Sequence, residues 1–132
     1  MIRYRFREET GSLGKVFRPV ANVILEWEGF KAEVLMYIDS GADISMIPLR
    51  FGRALGFKQK EEDIIYEVKG ISGVAIPYIL KEVVLILNGE RLKVRVAWAL
   101  VEQVPMLMGR MDIFNKFRIV FDEKEGWIDF EK

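Results

Sequence analysis

An acidic turn, with the sequence Asp-Ser-Gly-Ala-Asp at residues 39–43, carries the strongest chemical signal in this chain. It follows a run of apolar residues ending at Ile38, a pattern typical of a strand that leads into a turn. A carboxylate at a strand end sits on a loop fixed by the surrounding structure, which is how catalytic acids are commonly mounted. Asp39 is therefore the first candidate catalytic residue. An isolated Asp-Ser-Gly also suits a plain turn in which the aspartate bonds its own backbone.

The residue types that the chain lacks narrow the chemistry of this turn. No histidine and no cysteine is present, which excludes disulfides, thiol nucleophiles, Ser-His triads and zinc sites of the usual type. A lone carboxylate is a poor hydrolytic catalyst, whereas two facing carboxylates share one proton and act as base and acid. A chain with one Asp-Ser-Gly turn reaches this arrangement only by dimerising about a two-fold axis between two copies of Asp39.

Strand and helix patterns on both sides of the turn predict the elements that position it. Residues 20–27 and 32–38 alternate as a hairpin that feeds directly into Asp39. Residues 49–55 form a predicted short helix, since Pro48 suits its start and Gly56 its end.

The same order of elements recurs later in the chain. The dipeptide Asn88-Gly89 marks a hairpin between residues 83–87 and 92–98. An apolar segment, Met106-Leu107-Met108-Gly109, then precedes a predicted second short helix at residues 111–117. Hairpin, apolar strand, glycine turn and helix thus occur twice, and only the first copy places an acid before its glycine. This repetition predicts an internal structural duplication around one site.

The remaining segments are predicted to be strands and loops. Residues 2–6 alternate aromatic or apolar side chains with arginines, which favours a half-exposed strand. Residues 11–15 have the composition of a loop, and the whole stretch 1–18 is an N-terminal extension without an assigned role. Residues 64–69 and 74–78 form a hairpin with a flexible tip at residues 70–73. The chain closes with strands near residues 119–121 and 127–130.

These motifs, taken together, resemble the retropepsin-like, retroviral-type aspartic proteases, with single-domain cellular and microbial members the closer match. The turn at residues 39–43 is similar to the family's active-site turn. The segment at residues 106–110, Met-Leu-Met-Gly-Arg, resembles the family's apolar-apolar-Gly-Arg segment behind the active site. The likeness runs in order and spacing over residues 20–121. It implies an all-β fold, a closed barrel-like aspartic protease half with one or two short helices, and one domain over residues 1–132.

The resemblance assigns expected roles residue by residue. Asp39 corresponds to the catalytic aspartate, which together with the partner's copy activates a water molecule against a peptide carbonyl. Ser40, Gly41 and Ala42 correspond to the support of the active-site turn. Asp43 corresponds to a position that binds substrate backbone and pairs with Arg110, next to Gly109. The expected substrate-covering flap consists of Gly70, Ile71, Ser72 and Gly73.

The composition disfavours some classes of binding partner. Lys and Arg total 20 and Asp and Glu total 20, so zero net charge gives no general attraction to nucleic acid or to an anionic membrane. No apolar run is long enough to span a bilayer, and the N-terminus lacks the apolar core of a signal peptide. From these features we expect a cytoplasmic protein, and the resemblance implies a homodimer that acts on a peptide or protein substrate without a cofactor or metal.

Two functions from different classes fit this sequence. The first is an aspartic endopeptidase with an Asp39 pair at a homodimer two-fold. The second is a non-catalytic peptide-binding or assembly module on the same fold, and the intact Asp-Ser-Gly favours the first. A nucleic-acid module resting on the arginine-rich N-terminus is disfavoured by the zero net charge.

Overall fold

β-Strands dominate the computed structural model, which describes residues 1–69 and 73–132. This confirms the predicted all-β class, because the described residues contain only one short α-helix and one 3₁₀ helix beside the strands. The elements are β1 Ile2–Arg5, β2 Arg7–Gly11, β3 Gly14–Arg18, β4 Val20–Trp27, β5 Phe30–Ile38, β6 Ser45–Ile47, α1 Leu49–Ala54, β7 Ile65–Lys69, β8 Ala75–Leu87, β9 Glu90–Ala99, β10 Leu107–Met108, the 3₁₀ helix Phe114–Lys116, β11 Arg118–Asp122 and β12 Trp127–Glu131.

Six strands close into a barrel, as expected. They follow the order β4-β5-β10-β6-β9-β8, and β4 pairs again with β8, with Ile24 opposite Ile86. β7 is added to the outer side of β8 and forms the edge of this sheet. Closure pairs strands that would otherwise present an unpaired edge, so the barrel is a rigid support for the loops at its ends.

The barrel interior is filled by alternate side chains of its strands. Leu25 of β4, Met36 of β5 and Leu85 of β8 are completely buried, and each such side chain contributes about 1.5–3 kcal/mol through removal from water. α1 covers the barrel beside Trp98, whose indole N–H donates to the Leu49 carbonyl oxygen at 3.0 Å. Gly52 of this helix lies directly against the Trp98 ring, with no room for a Cβ.

Residues 1–18, which had no assigned role, form three strands. β1 pairs with β12 at the edge of a three-stranded sheet, β1-β12-β11. Ile2 and Phe6 are buried while Arg3 and Arg5 are exposed, which confirms the alternation predicted for this segment. Arg3 forms two hydrogen bonds to Asp129, at 2.6 and 3.0 Å, and lowers the pKa of that carboxyl.

One sequence-based prediction of local structure is only partly right, and another is wrong. Residues 11–15 were expected to form a loop, but only residues 12–13 form a turn, and Gly11 and Gly14 pair as the last rung of the β2–β3 hairpin. Residues 111–117 were expected to form a second helix comparable to α1. Asp112 instead adopts a left-handed backbone conformation with φ of 66°, and only the short 3₁₀ helix follows.

Candidate active site

Asp39 lies immediately after β5, at the end of a strand pair. β5 runs parallel to β10, and the Asp39 N–H continues this pairing by donating to the Met108 carbonyl oxygen at 3.0 Å. Ile38 and Met108 are buried, whereas Asp39 itself is partly exposed. The buried strand pair therefore fixes the position of a carboxylate that remains accessible from outside.

The turn after Asp39 is held by the aspartate itself. Its Oδ1 accepts a hydrogen bond from the Gly41 N–H at 2.9 Å, and its backbone carbonyl accepts one from the Ala42 N–H at 3.2 Å. This bonding is that of a plain aspartate turn, but it occupies only one carboxylate oxygen. Oδ2 accepts no hydrogen bond from the described residues, so it is available to a partner or substrate.

The glycine turn at Gly109 packs directly behind the acidic turn. The Gly109 N–H donates to Ser45 Oγ at 3.0 Å in a fully buried position. The Arg110 N–H donates to the Ala42 carbonyl oxygen at 2.9 Å, and the Met111 N–H donates to the Asp43 carbonyl oxygen at the same distance. A Cβ on Gly109 would lie 2.5 Å from the Ile44 carbonyl group, so only glycine permits this approach.

The expected ion pair between Asp43 and Arg110 is not formed among the described residues. Both side chains are exposed, and the two segments are joined through backbone hydrogen bonds instead. An ion pair near this turn joins Asp112 and Arg95: the guanidinium donates two hydrogen bonds of 2.9 Å to the carboxylate, and the Arg95 backbone N–H donates a third of the same length. Donation from the Arg95 side chain, the largest effect, lowers the pKa of the Asp112 carboxyl to about 2.

A cleft of about 570 Å³ opens beside the acidic turn, and we call it the Asp39 cleft. A larger cavity, about 720 Å³, lies beside the β11–β12 turn and contains no residue of the acidic turn, so the smaller cleft is the relevant one. The Asp39 cleft is lined by Glu9, Arg18, Pro19, Tyr37, Ile38, Asp39, Pro105 and Leu107.

Comparisons with known proteins find likeness in structure only. No protein-family model matches the chain, and no curated protein is similar in sequence. A retropepsin-like aspartic protease from Rickettsia conorii superposes with a TM-score of 0.67 at 12% identity, covering 97% of this chain and 98% of that one. EIAV protease in complex with an inhibitor superposes with a TM-score of 0.59 at 20% identity, covering 75% and 86%. The chain has a retropepsin-like fold. At these identities the likeness establishes the fold alone.

Within this retropepsin-like fold, the β7–β8 hairpin leads to the expected flap. Gly70, Ile71 and Ser72 lie outside the described residues. Gly73 is exposed with φ of 78°, a left-handed conformation that favours glycine. Apolar side chains of β7 are exposed, including Ile65 at 57%.

Sequence reasoning missed two groups of residues at this site. Ser45 is fully buried and joins the two glycine turns, and its signal was a hydroxyl within the apolar run Ile44 to Ile47. Glu9 and Arg18 reach the Asp39 cleft from the β2–β3 hairpin. β2 has three charged residues and β3 two, and neither strand shows the regular apolar alternation that would have marked it.

No helix in residues 1–69 and 73–132 is both long and apolar enough to cross a membrane.

Proposed function

We propose that this chain is an aspartic endopeptidase that acts as a homodimer, with one Asp39 from each copy at the two-fold axis. The observation that carries the proposal is the Asp39 carboxylate itself. It is partly exposed, has one oxygen without a hydrogen bond from the described residues, and is held on a turn braced by Gly109. The retropepsin-like fold supports this role.

The chemistry follows from two carboxylates held close together. Two carboxyl groups at short distance cannot both ionise, so the pair keeps one proton, as is established for the dyads of aspartic proteases. The ionised carboxylate takes a proton from a water molecule while the water oxygen attacks the peptide carbonyl carbon. The protonated carboxylate gives its proton to the carbonyl oxygen. The C–N bond then breaks as the first carboxyl group gives the water-derived proton to the leaving amine, and the second carboxylate takes a proton back from a hydroxyl of the tetrahedral intermediate, so the pair again holds one proton.

The residues around Asp39 have supporting roles in this proposal. Ser40 is exposed beside Asp39, where its hydroxyl can bond across the two-fold. Gly41 has no side chain that could cover the turn backbone. A Cβ at this position would lie 3.3 Å from Asp39 Oδ1 and would crowd the carboxylate. Ala42 joins the acidic turn to Arg110 through its carbonyl oxygen. Gly70 to Gly73 would cover the bound peptide, and Asp43 would bind its backbone.

The test is digestion of a peptide library by the wild-type chain and by Asp39→Asn. Asparagine keeps an oxygen for the Gly41 N–H, so the turn is preserved, while the acid-base function is lost. We expect cleavage to fall at least about 100-fold with an unchanged melting temperature. Asp63→Asn is the matched control, because Asp63 also accepts a backbone N–H within its own turn, from Lys60 at 2.7 Å.

The results separate this proposal from the binding-module alternative. Cleavage that survives in Asp39→Asn would refute the mechanism. A wild-type chain that binds peptides without cutting them would favour the peptide-binding or assembly module. Loss of cleavage in Asp63→Asn as well would show that the effect of Asp39→Asn is not specific to the site.

A further inference from the structure

The β2–β3 hairpin forms one wall of the Asp39 cleft. In its register Arg7 lies opposite Arg18, and Glu9 is two residues further along β2. These three side chains therefore project from the same face of the hairpin. Glu9 and Arg18 line the cleft together with Tyr37 and Asp39. The hairpin thus brings a charged cluster to the same opening as the proposed catalytic carboxylate.

The Glu9 carboxylate of this cluster already has hydrogen-bonding and ionic partners. Glu9 Oε2 accepts a hydrogen bond from the Tyr37 hydroxyl at 2.6 Å, and Glu9 Oε1 lies 3.1 Å from Arg18 Nε. Arg7 Nε lies 3.7 Å from the same carboxylate. The Glu9 side chain is 23% exposed. The hydrogen bond to Glu9 is also the main reason that the pKa of Tyr37 is raised.

Both arginines of the cluster can donate further hydrogen bonds. The side chains of Arg7 and Arg18 are 54% and 53% exposed, and two guanidinium groups face one carboxylate. The cluster of two arginines and one glutamate therefore carries a net positive charge, and Arg18 is the cation of this cluster that lines the cleft. An arginine that binds one carboxylate through Nε still has two terminal nitrogens that can donate to a second carboxylate.

The floor between this cluster and Asp39 is largely apolar. Tyr37 and Leu107 are register partners on the parallel strands β5 and β10, so their side chains lie next to each other on one face. Both are only half-buried, and Pro105 also lines the cleft. A side chain that fits this path has an apolar stem and a negatively charged end.

We propose that the Asp39 cleft is a substrate subsite that selects a glutamate side chain, and that Arg18 is its specificity-determining residue. This inference rests on the proposed peptidase function. The glutamate methylene groups lie along Tyr37 and Leu107, and its carboxylate accepts hydrogen bonds from Arg18. Glutamine has the same shape without the charge and is the matched competitor.

The experiment uses peptides in which each position in turn carries Glu, Gln or Lys. For the wild-type chain we expect one position at which Glu exceeds Gln about tenfold in kcat/KM, the size of one charge-assisted hydrogen bond. In Arg18→Gln this ratio falls to about one. Lys15→Gln is the control, because Lys15 lies on the same strand but on the opposite face, where it pairs with Glu8 at 3.0 Å.

Binding of the same peptides to the Asp39→Asn chain, measured by fluorescence anisotropy, separates the two proposals. Cleavage without a Glu preference, or a preference retained in Arg18→Gln, overturns the subsite and leaves the peptidase standing. No cleavage, with about tenfold tighter binding of the Glu peptide that Arg18→Gln abolishes, overturns the peptidase and supports the subsite. Neither cleavage nor selective binding overturns both.

Discussion

Gly109 is the position at which one added methyl group tests the link between the two turns most sharply. Its Cβ would lie 2.5 Å from the carbonyl carbon and oxygen of Ile44, and 2.9 Å from the Ala42 carbonyl oxygen. Backbone atoms cannot rotate away as a flexible side chain can, so the turn must shift. That shift also disturbs the buried hydrogen bond from the Gly109 N–H to Ser45 Oγ.

We expect Gly109→Ala to lower the free energy of unfolding by roughly 2–4 kcal/mol. Overpacking accounts for about 1–3 kcal/mol, and the weakened buried hydrogen bond adds about 1 kcal/mol. For a chain of this size the loss corresponds to a fall of roughly 8–16 °C in Tm. Because the displaced turn carries Asp39, cleavage per folded molecule is also expected to fall.

Thermal and urea denaturation of Gly109→Ala and Gly11→Ala provide the assay. Gly11 is the control, because its Cβ would meet nothing nearer than a Val16 methyl group at 3.4 Å, an ordinary contact. We expect Gly11→Ala to change stability by less than about 1 kcal/mol. An unchanged Tm in Gly109→Ala, or an equal loss in both variants, would refute the reasoning.

Two further substitutions probe the surroundings of the site. Ser45→Ala leaves the buried Gly109 N–H without its acceptor, and should cost about 1–3 kcal/mol in urea denaturation; no loss would show that this bond is not structural. Asp112→Asn should cost about 1 kcal/mol at neutral pH, since solvent screens the Arg95 pair. Because the folded pKa of Asp112 is lowered from 3.8 to about 2, its stabilisation is present above pH 3.8 and lost towards pH 2. The difference between wild type and Asp112→Asn should therefore vanish in acid, and a constant difference would contradict this linkage.

Several strands of the barrel and the position of the acidic turn could be predicted from local patterns, whereas closure of the barrel was implied only by the family resemblance. Apolar alternation in residues 20–38 and the Asn88-Gly89 turn marked the hairpins of four barrel strands, and the structure has all four. The apolar segment before Gly109 predicted β10, which pairs with β5 next to Asp39. These elements depend on periodicity and turn chemistry, which are local properties of the sequence.

The wrong and missed features depend on contacts between distant residues. The helix predicted at residues 111–117 fails at Asp112, whose ion pair with Arg95 accompanies a left-handed backbone. The Asp43–Arg110 pair was implied by resemblance, and the chain uses backbone bonds there instead. The β2–β3 hairpin carries charged side chains that pair with each other and with Tyr37, so hydrophobic patterning contained no signal for it.

In the proposed mechanism, Asp39 is half of an active site that a second copy of the chain completes. Mixing wild-type and Asp39→Asn chains under conditions of subunit exchange, at constant total concentration, shows whether both copies are needed. If both aspartates are needed, only wild-type pairs are active, and an equal mixture should cleave at about a quarter of the wild-type rate. A rate of about one half would show that each chain acts alone and would contradict the account.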